Sequence, residues 1–248
     1  NTLQIDKANY TLTTQPVNSG VYAMFNTLSP ILKDKAVRKA LQVGTDTAEI
    51  RKSLPTDVSP LDLPFTNDQI SGADVPKAVP VDIKKAQALL DQAGWIMKNG
   101  TRSKGDQRLA LTVATTKNGQ YEEALEALAG QWRKIGVAVN TNVIDTADPS
   151  TNFVQNILQA RNYDVLLYEL LIGADPDVYA YWHSSQIGVN GYNFSSYANG
   201  AADDALASAR SRLEPELRNV KYKAFAKQWI DDAPAIGLYQ PVSEYVYN

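Results

Sequence analysis

Short apolar runs and longer amphipathic stretches follow one another along the chain, and their order predicts the fold. Residues 20–26, "GVYAMFN", are an apolar run closed by Asn26, the pattern of a buried strand. In residues 29–46, Val37, Ala40, Leu41 and Gly44 fall at helical spacing, and Asp46 can cap a second short helix beyond them. Residues 82–95 read as a helix with Asp82 as N-cap, Ile83, Ala86, Leu89, Leu90 and Ala93 on one face, and Gly94 as its stop. Residues 108–116 alternate like a strand, and 137–145 form another. Between them lies the strongest helical stripe, Tyr121, Leu125, Leu128, Trp132 and Ile135. This strand–helix–strand order is the unit of a parallel α/β sheet. A helix over 149–160 then leads to an apolar strand at 163–171. Helices over 202–213 and 215–233 follow, with Pro215 suited to a first turn, and residues 234–248 are extended.

Two stretches lack either rhythm. Residues 55–80 carry five prolines and predict an irregular surface excursion. Residues 99–107 are polar and predict a turn region. The repeated alternation of strand and helix makes the fold class α/β.

Composition adds mainly exclusions. The 248 residues, 44% hydrophobic and 21% charged, can bury a sizeable core, and the length admits one large domain or two small ones. With 24 basic against 27 acidic residues the net charge is −3, which predicts no nucleic-acid partner. The absence of cysteine excludes disulfides, thiolate metal sites and cysteine nucleophiles. No run approaches the ~18 apolar residues of a membrane span, and the opening stretch "NTLQIDKANY" has no signal-peptide pattern.

Open α/β sheets bind ligands at the carboxyl ends of their strands. That rule selects Asn26, the turn after 108–116 with Thr116 and Lys117, Asp145, and Glu169 onward. The segment "YDVLLYELLIGADPDVYAYWHSS", residues 163–185, sharpens the question, because an apolar strand breaks into acidic and aromatic residues beside the only histidine. A catalytic reading makes Glu169, Asp175, Asp177 and His183 an acid/base or metal site, for instance in a hydrolase. One histidine without cysteine argues against a protein-built zinc site, and neither a nucleophile elbow nor a nucleotide-binding glycine motif is present. A structural reading has Asp175 precede a helix with Pro176 in its first position and Asp177 near the positive end of the helix dipole. His183 is then a helix-surface or interface residue beside Trp182.

Several segments in one order carry a resemblance. "MFNTLSPILKDKAVRKALQVGTDTAEI", "DIKKAQALLDQAGW", "LAGQWRKIGVAVNTNVID", "YDVLLYELLIGADPDVYAYWHSS", "YNFSSYANGAADDALASAR" and "DDAPAIGLYQ" together resemble family 5 of the extracytoplasmic solute-binding proteins of ABC transporters, the oligopeptide/dipeptide/nickel class. The resemblance spans about residues 20–240. It implies a periplasmic-binding-protein type II-like fold, a mixed sheet flanked by helices, with residues 1–248 forming the carboxyl-terminal lobe of a two-lobed protein about twice as long. The runs "VYAMFN" and "IGLYQP" resemble the strands through which that family's chain crosses between lobes.

The resemblance implies a binding protein rather than an enzyme, without cofactor, that captures a peptide or related small solute and delivers it to membrane permease subunits. It also implies a monomer outside the cytoplasm, anchored through a part outside this chain; a non-transport sensing module remains an alternative. Asn26, Thr116, Lys117, Glu169, Asp175, Tyr192 and Asn193 are the expected ligand contacts. Oligopeptide and dipeptide binders of the family place an aspartate three residues before the position of Asp175, where it meets the ligand's ammonium group. Here that residue is Ile172, which implies a different ligand type, tolerant of a blocked amine, unless another acid such as Glu169 turns inward as the anchor.

Overall fold

A computed structural model describes residues 11–247; the opening stretch without signal-peptide pattern, residues 1–10, and Asn248 lie outside the described residues. The first elements are strands β1 (Thr11–Pro16) and β2 (Ser19–Phe25), helices α1 (Lys35–Val43) and α2 (Thr47–Ser53), and a short strand β3 (Val58–Pro60). Helix α3 (Ile83–Gln92) leads to three small strands, β4 (Ile96–Lys98), β5 (Thr101–Lys104) and β6 (Gln107–Arg108). The predicted strand–helix–strand unit is β7 (Ala110–Thr116), α4 (Gly119–Lys134) and β8 (Ala138–Ile144). A π-helical turn, Val154–Gln159, precedes β9 (Val165–Leu171), and α5 (Tyr179–Trp182), α6 (Gly200–Arg210), α7 (Pro215–Asp232) and β10 (Ala235–Tyr247) complete the chain.

Local capping explains where the helices begin. Asp34, Asp46, Asp82, Asn118 and Asn199 each accept a backbone N–H from the first turn that follows, satisfying donors that the helix itself leaves open. Gly94, at φ +84°, ends the turn after α3 as its sequence predicts.

The main sheet runs β1-β10-β2-β9-β7-β8, with β3 added to β10. Strands β7, β8 and β9 are parallel, whereas β2 is antiparallel to both β9 and β10. Alternation along the strands divides the core into two faces. Val21, Ala23, Phe25, Val165 and Leu167 pack with α1 to α4, while Tyr22, Met24, Leu166 and Leu170 pack with α6, α7 and the π-helical turn. The result is a mixed sheet covered on both faces by helices.

Two polar stretches are more ordered than their sequences predict. Residues 96–108 form a hairpin sheet whose first turn, Asn99–Gly100, has both residues at positive φ (50° and 82°), as a two-residue turn of mirror-image type requires. Its anchor is Arg102, buried and donating to the carbonyls of Trp95 (2.6 Å) and Ile135 (2.8 Å). Residues 55–80 are irregular apart from β3, yet Leu61 and Phe65 are buried. Leu61 lies where Cβ atoms on Gly20 and Gly237 would come within 2.5 Å of it, so the excursion docks because both strands carry glycine there.

Strand directions also fix one edge of the sheet. The carboxyl ends of β7, β8 and β9 share it with the first residues of β2. From that same edge the last half of β10 runs on with β1 as an antiparallel ribbon, Thr11 opposite Tyr247 through Pro16 opposite Val242.

Candidate ligand-binding cleft

The site begins with a divergence between two strands. β9 stays paired with β2 along its whole length, to Leu171 opposite Ser19, but meets β7 only through Val165 and Leu166. The buried Thr115 hydroxyl caps the divergence by donating to the Leu167 carbonyl (2.8 Å). At the two ends of the β2–β9 ladder, Asn26 N–H donates to Asp164 and Ile172 N–H to Asn18. Even-numbered residues of β9 therefore exchange main-chain bonds with β2. By the alternation of an antiparallel ladder, the main-chain groups of Glu169 and Leu171 point the other way, into the wedge that β7 has left.

That wedge opens into a cavity of about 390 Å³, lined by Tyr121 of α4, Tyr168 to Leu171 of β9, Leu158 of the π-helical turn, Tyr181 of α5, and Tyr192 and Phe194 of the following loop. Tyr181 and Tyr192 meet edge to face at 6.4 Å, and Tyr192 meets Phe194 the same way at 6.2 Å. The Tyr181 hydroxyl donates to the Leu171 carbonyl. Tyr192 and Leu171 remain 58% and 71% exposed, a large apolar surface to leave in water.

One charge sits among these rings. Glu169 accepts the Ser19 hydroxyl at Oε1 (2.5 Å) and the Tyr121 hydroxyl at Oε2 (2.8 Å). Burial, followed by the neighbouring Glu169 carboxylate, pushes the phenols of Tyr121 and Tyr168 up from their ordinary range. Both rings are therefore neutral hydroxyl-bearing walls over the physiological pH range.

Of the expected contacts, Glu169 and Tyr192 come together in this cavity. Thr116 and Lys117 stand at the end of β7 on the same edge, with Lys117 Nζ paired to Asp145 (2.9 Å). Asp175, four residues beyond the end of β9, is held bidentately by Arg218 of α7 (2.6 and 2.9 Å), which lowers its carboxyl below the usual range. Asn193 is fully buried and ties the loop internally, its side chain bonded to the Tyr197 N–H and to the carbonyls of His183 and Tyr197. Asn26 lies at the opposite edge, donating to the Tyr163 carbonyl, because β2 runs antiparallel to the strands beside it. Ile172 is buried in the apolar cluster of the α7 face. Glu169, three residues earlier, is the acid that turns toward the cavity.

The catalytic reading does not gather its residues. Among the described residues no hydrogen bond or ion pair joins Glu169, Asp175 and His183. His183 Nδ1 accepts the Ser185 N–H (3.0 Å), and the ring stacks on Tyr179 at 4.0 Å. The short helix after Pro176 starts at Tyr179 rather than at Pro176, since Arg218 and Arg210 hold Asp175 and Asp177 outside it and Asp177 caps the Tyr179 N–H. Among the described residues no three acids or histidines cluster as a metal site.

Sequence reasoning missed Ser19, Tyr121, Tyr168 and Tyr181. Tyr121 is indistinguishable in sequence from the rest of its core stripe. The aromatic run 179–182 is visible, but only the fold turns Tyr181 outward and Trp182 inward.

A mixed, doubly covered sheet, open at one edge to an aromatic cavity and extended there by a two-stranded ribbon, defines the class: a type II periplasmic-binding-protein fold. Residues 1–191 match the Bacterial extracellular solute-binding proteins, family 5 Middle, and the chain belongs to this family. It is similar to the oligopeptide-binding protein AppA of Bacillus subtilis, solved with a nonapeptide (27% identity, TM-score 0.80, 97% of this chain and 48% of that one). It is also similar to NikZ of Campylobacter jejuni, solved with Ni(L-His) (25% identity, TM-score 0.79, 98% and 49%). Curated relatives include Protein XP55 of Streptomyces lividans (27% identity over 80% of this chain) and a Brucella ovis protein named for ABC transporter peptide binding (26% over 83%). The chain spans 36% and 38% of those two relatives and about half of the two solved structures.

Proposed function

We propose that this chain is the carboxyl-terminal lobe of the substrate-binding component of an ABC importer. It captures a peptide or related solute against a second lobe outside the cytoplasm and delivers it to permease subunits. The protein works as a monomer, anchored at the membrane through a part outside this chain. The observation that carries the reading is the wedge between β7 and β9. There the main chain of Glu169 and Leu171 faces outward beside a ring-lined cavity, and an extended ligand can add along a strand edge while its side chains enter the rings.

The ribbon of β1 and β10 supports the same reading, because two strands leaving from the cleft edge are suited to a hinge between rigid bodies. Glu169, Tyr168, Tyr181 and Tyr192 form one wall of the site, and Thr116 and Lys117 stand at its rim. Asp175 and Asn193 act through position, by pinning the loops that carry Tyr181 and Tyr192, and Asn26 holds the start of β9 at the far edge. Reversible capture requires no covalent step. Native mass spectrometry of the complete protein purified from its own host tests the proposal. Retention of peptide-sized ligands is the expected result, and release of a single non-peptidic metabolite in stoichiometric amount would replace the peptide reading.

A further inference from the structure

Glu169 differs from three other acids of this edge. Asp145, Asp175 and Asp177 each pair with a lysine or arginine, whereas Glu169 meets only hydroxyls and has no cationic partner among the described residues. A half-buried carboxylate without a counter-charge is costly unless its function supplies one. Each carboxylate oxygen offers about two acceptor positions. Ser19 of β2 and Tyr121 of α4 occupy one on each oxygen and fix the rotamer. The remaining lone pairs belong to the side chain that lines the cavity.

The surroundings select the sign of what completes it. Tyr168, Tyr181 and Tyr192 line the same cavity, and the faces of aromatic rings are electrically negative. An anionic group here would meet a like charge. A cation meets a carboxylate among aromatic rings, with Leu158, Leu170 and Leu171 against whatever apolar body carries it.

We infer that Glu169 is the specificity determinant for an organic cation, the ammonium or guanidinium of a ligand whose adjoining part is apolar. This rests on the solute-binding reading above and adds to it the charge of the group that enters the cavity.

The test uses the complete protein and four tripeptide sub-libraries of apolar residues: amino terminus free or acetylated, with or without one lysine or arginine. Native mass spectrometry should show every sub-library bearing a cation retained at least about tenfold over the acetylated, lysine- and arginine-free one. In Glu169→Gln, whose folding is checked by thermal unfolding, that preference should vanish. Equal retention of all four sub-libraries by the wild type overturns the inference and leaves the binding reading intact; this comparison needs no variant. An equal loss of all four in Glu169→Gln also overturns it, since the carboxylate would then serve lobe closure. Retention of none of them overturns the peptide reading and the inference with it.

Discussion

Arg38 is buried at the base of α1, where its guanidinium donates to the carbonyls of Leu32, Lys33, Asp232 and Ala233. It closes the carboxyl end of α7, whose last carbonyls have no partner within the helix. Arg38→Leu keeps much of the volume but strands those acceptors, and should cost about 3 kcal/mol in a urea titration. Asp232 beside it accepts Lys35, Tyr197, Asn199 and Gln228. Burial opposes its charge, but the hydrogen bonds from Lys35, Gln228 and Tyr197 prevail and hold its carboxyl below the usual range. A depressed folded-state pKa contributes stability that is present above the ordinary value of about 4 and is lost as pH falls through the lower folded value. Asp232→Asn should therefore flatten the acid limb of stability below about pH 4 in denaturation at stepped pH. His183, whose Nδ1 accepts the Ser185 N–H, should give an alanine variant whose zinc and nickel retention equals the wild type's. Stoichiometric metal lost with that ring would show a site there.

The elements divide by how local their causes are. The stripe of α4 was legible because Tyr121, Leu125, Leu128, Trp132 and Ile135 repeat at the helical period, and all are buried. Ile83 was assigned to the same kind of face and is 41% exposed, because it is the first residue of α3 and lies beyond the sheet. The hairpin at 96–108 contains an Asn–Gly turn, the strongest short hairpin signal. Its polar flanks predict only a turn region, and the buried Arg102 that fixes it reaches across to the Ile135 carbonyl at the end of α4. Docking of residues 55–80 is likewise decided at a distance. In Gly237→Ala the new Cβ would stand 2.5 Å from the Leu61 carbonyl. The expected outcome is a loss of about 1–3 kcal/mol with faster proteolytic cleavage within 61–80, and unchanged cleavage would mean that the segment is held elsewhere.

At the scale of the molecule, the cavity beside β9 offers a ligand one wall. Ligand sites bury about 70–90% of a ligand's surface, and the cavity beside β9 is open to the side from which the β1–β10 ribbon leaves. Residues 1–248 alone should unfold cooperatively yet bind peptide pools no tighter than about micromolar by calorimetry. Nanomolar binding by this chain would show that a single lobe suffices and would overturn the two-lobed reading.

The main strands and helices from residue 20 onward, the caps Asp46 and Asp82 and the buried stripe of α4 were determined by the sequence alone, because each depends on residues within a few positions of one another. The choice of edge was not. Asn26 and Glu169 both lie at or near strand ends, and a rule for parallel sheets treats them alike. Pairing across 148 positions of chain (Val21 opposite Glu169) reverses β2 and sends Asn26 to the far edge. The same non-local geometry parts β9 from β7 after Leu166 and brings Ser19 and Tyr121 to the two oxygens of Glu169. Strand direction and register are set by long-range hydrogen bonding and by which faces must be buried together. No local pattern contains them, so the tertiary structure alone made Glu169, among several plausible acids, the one that faces the cleft.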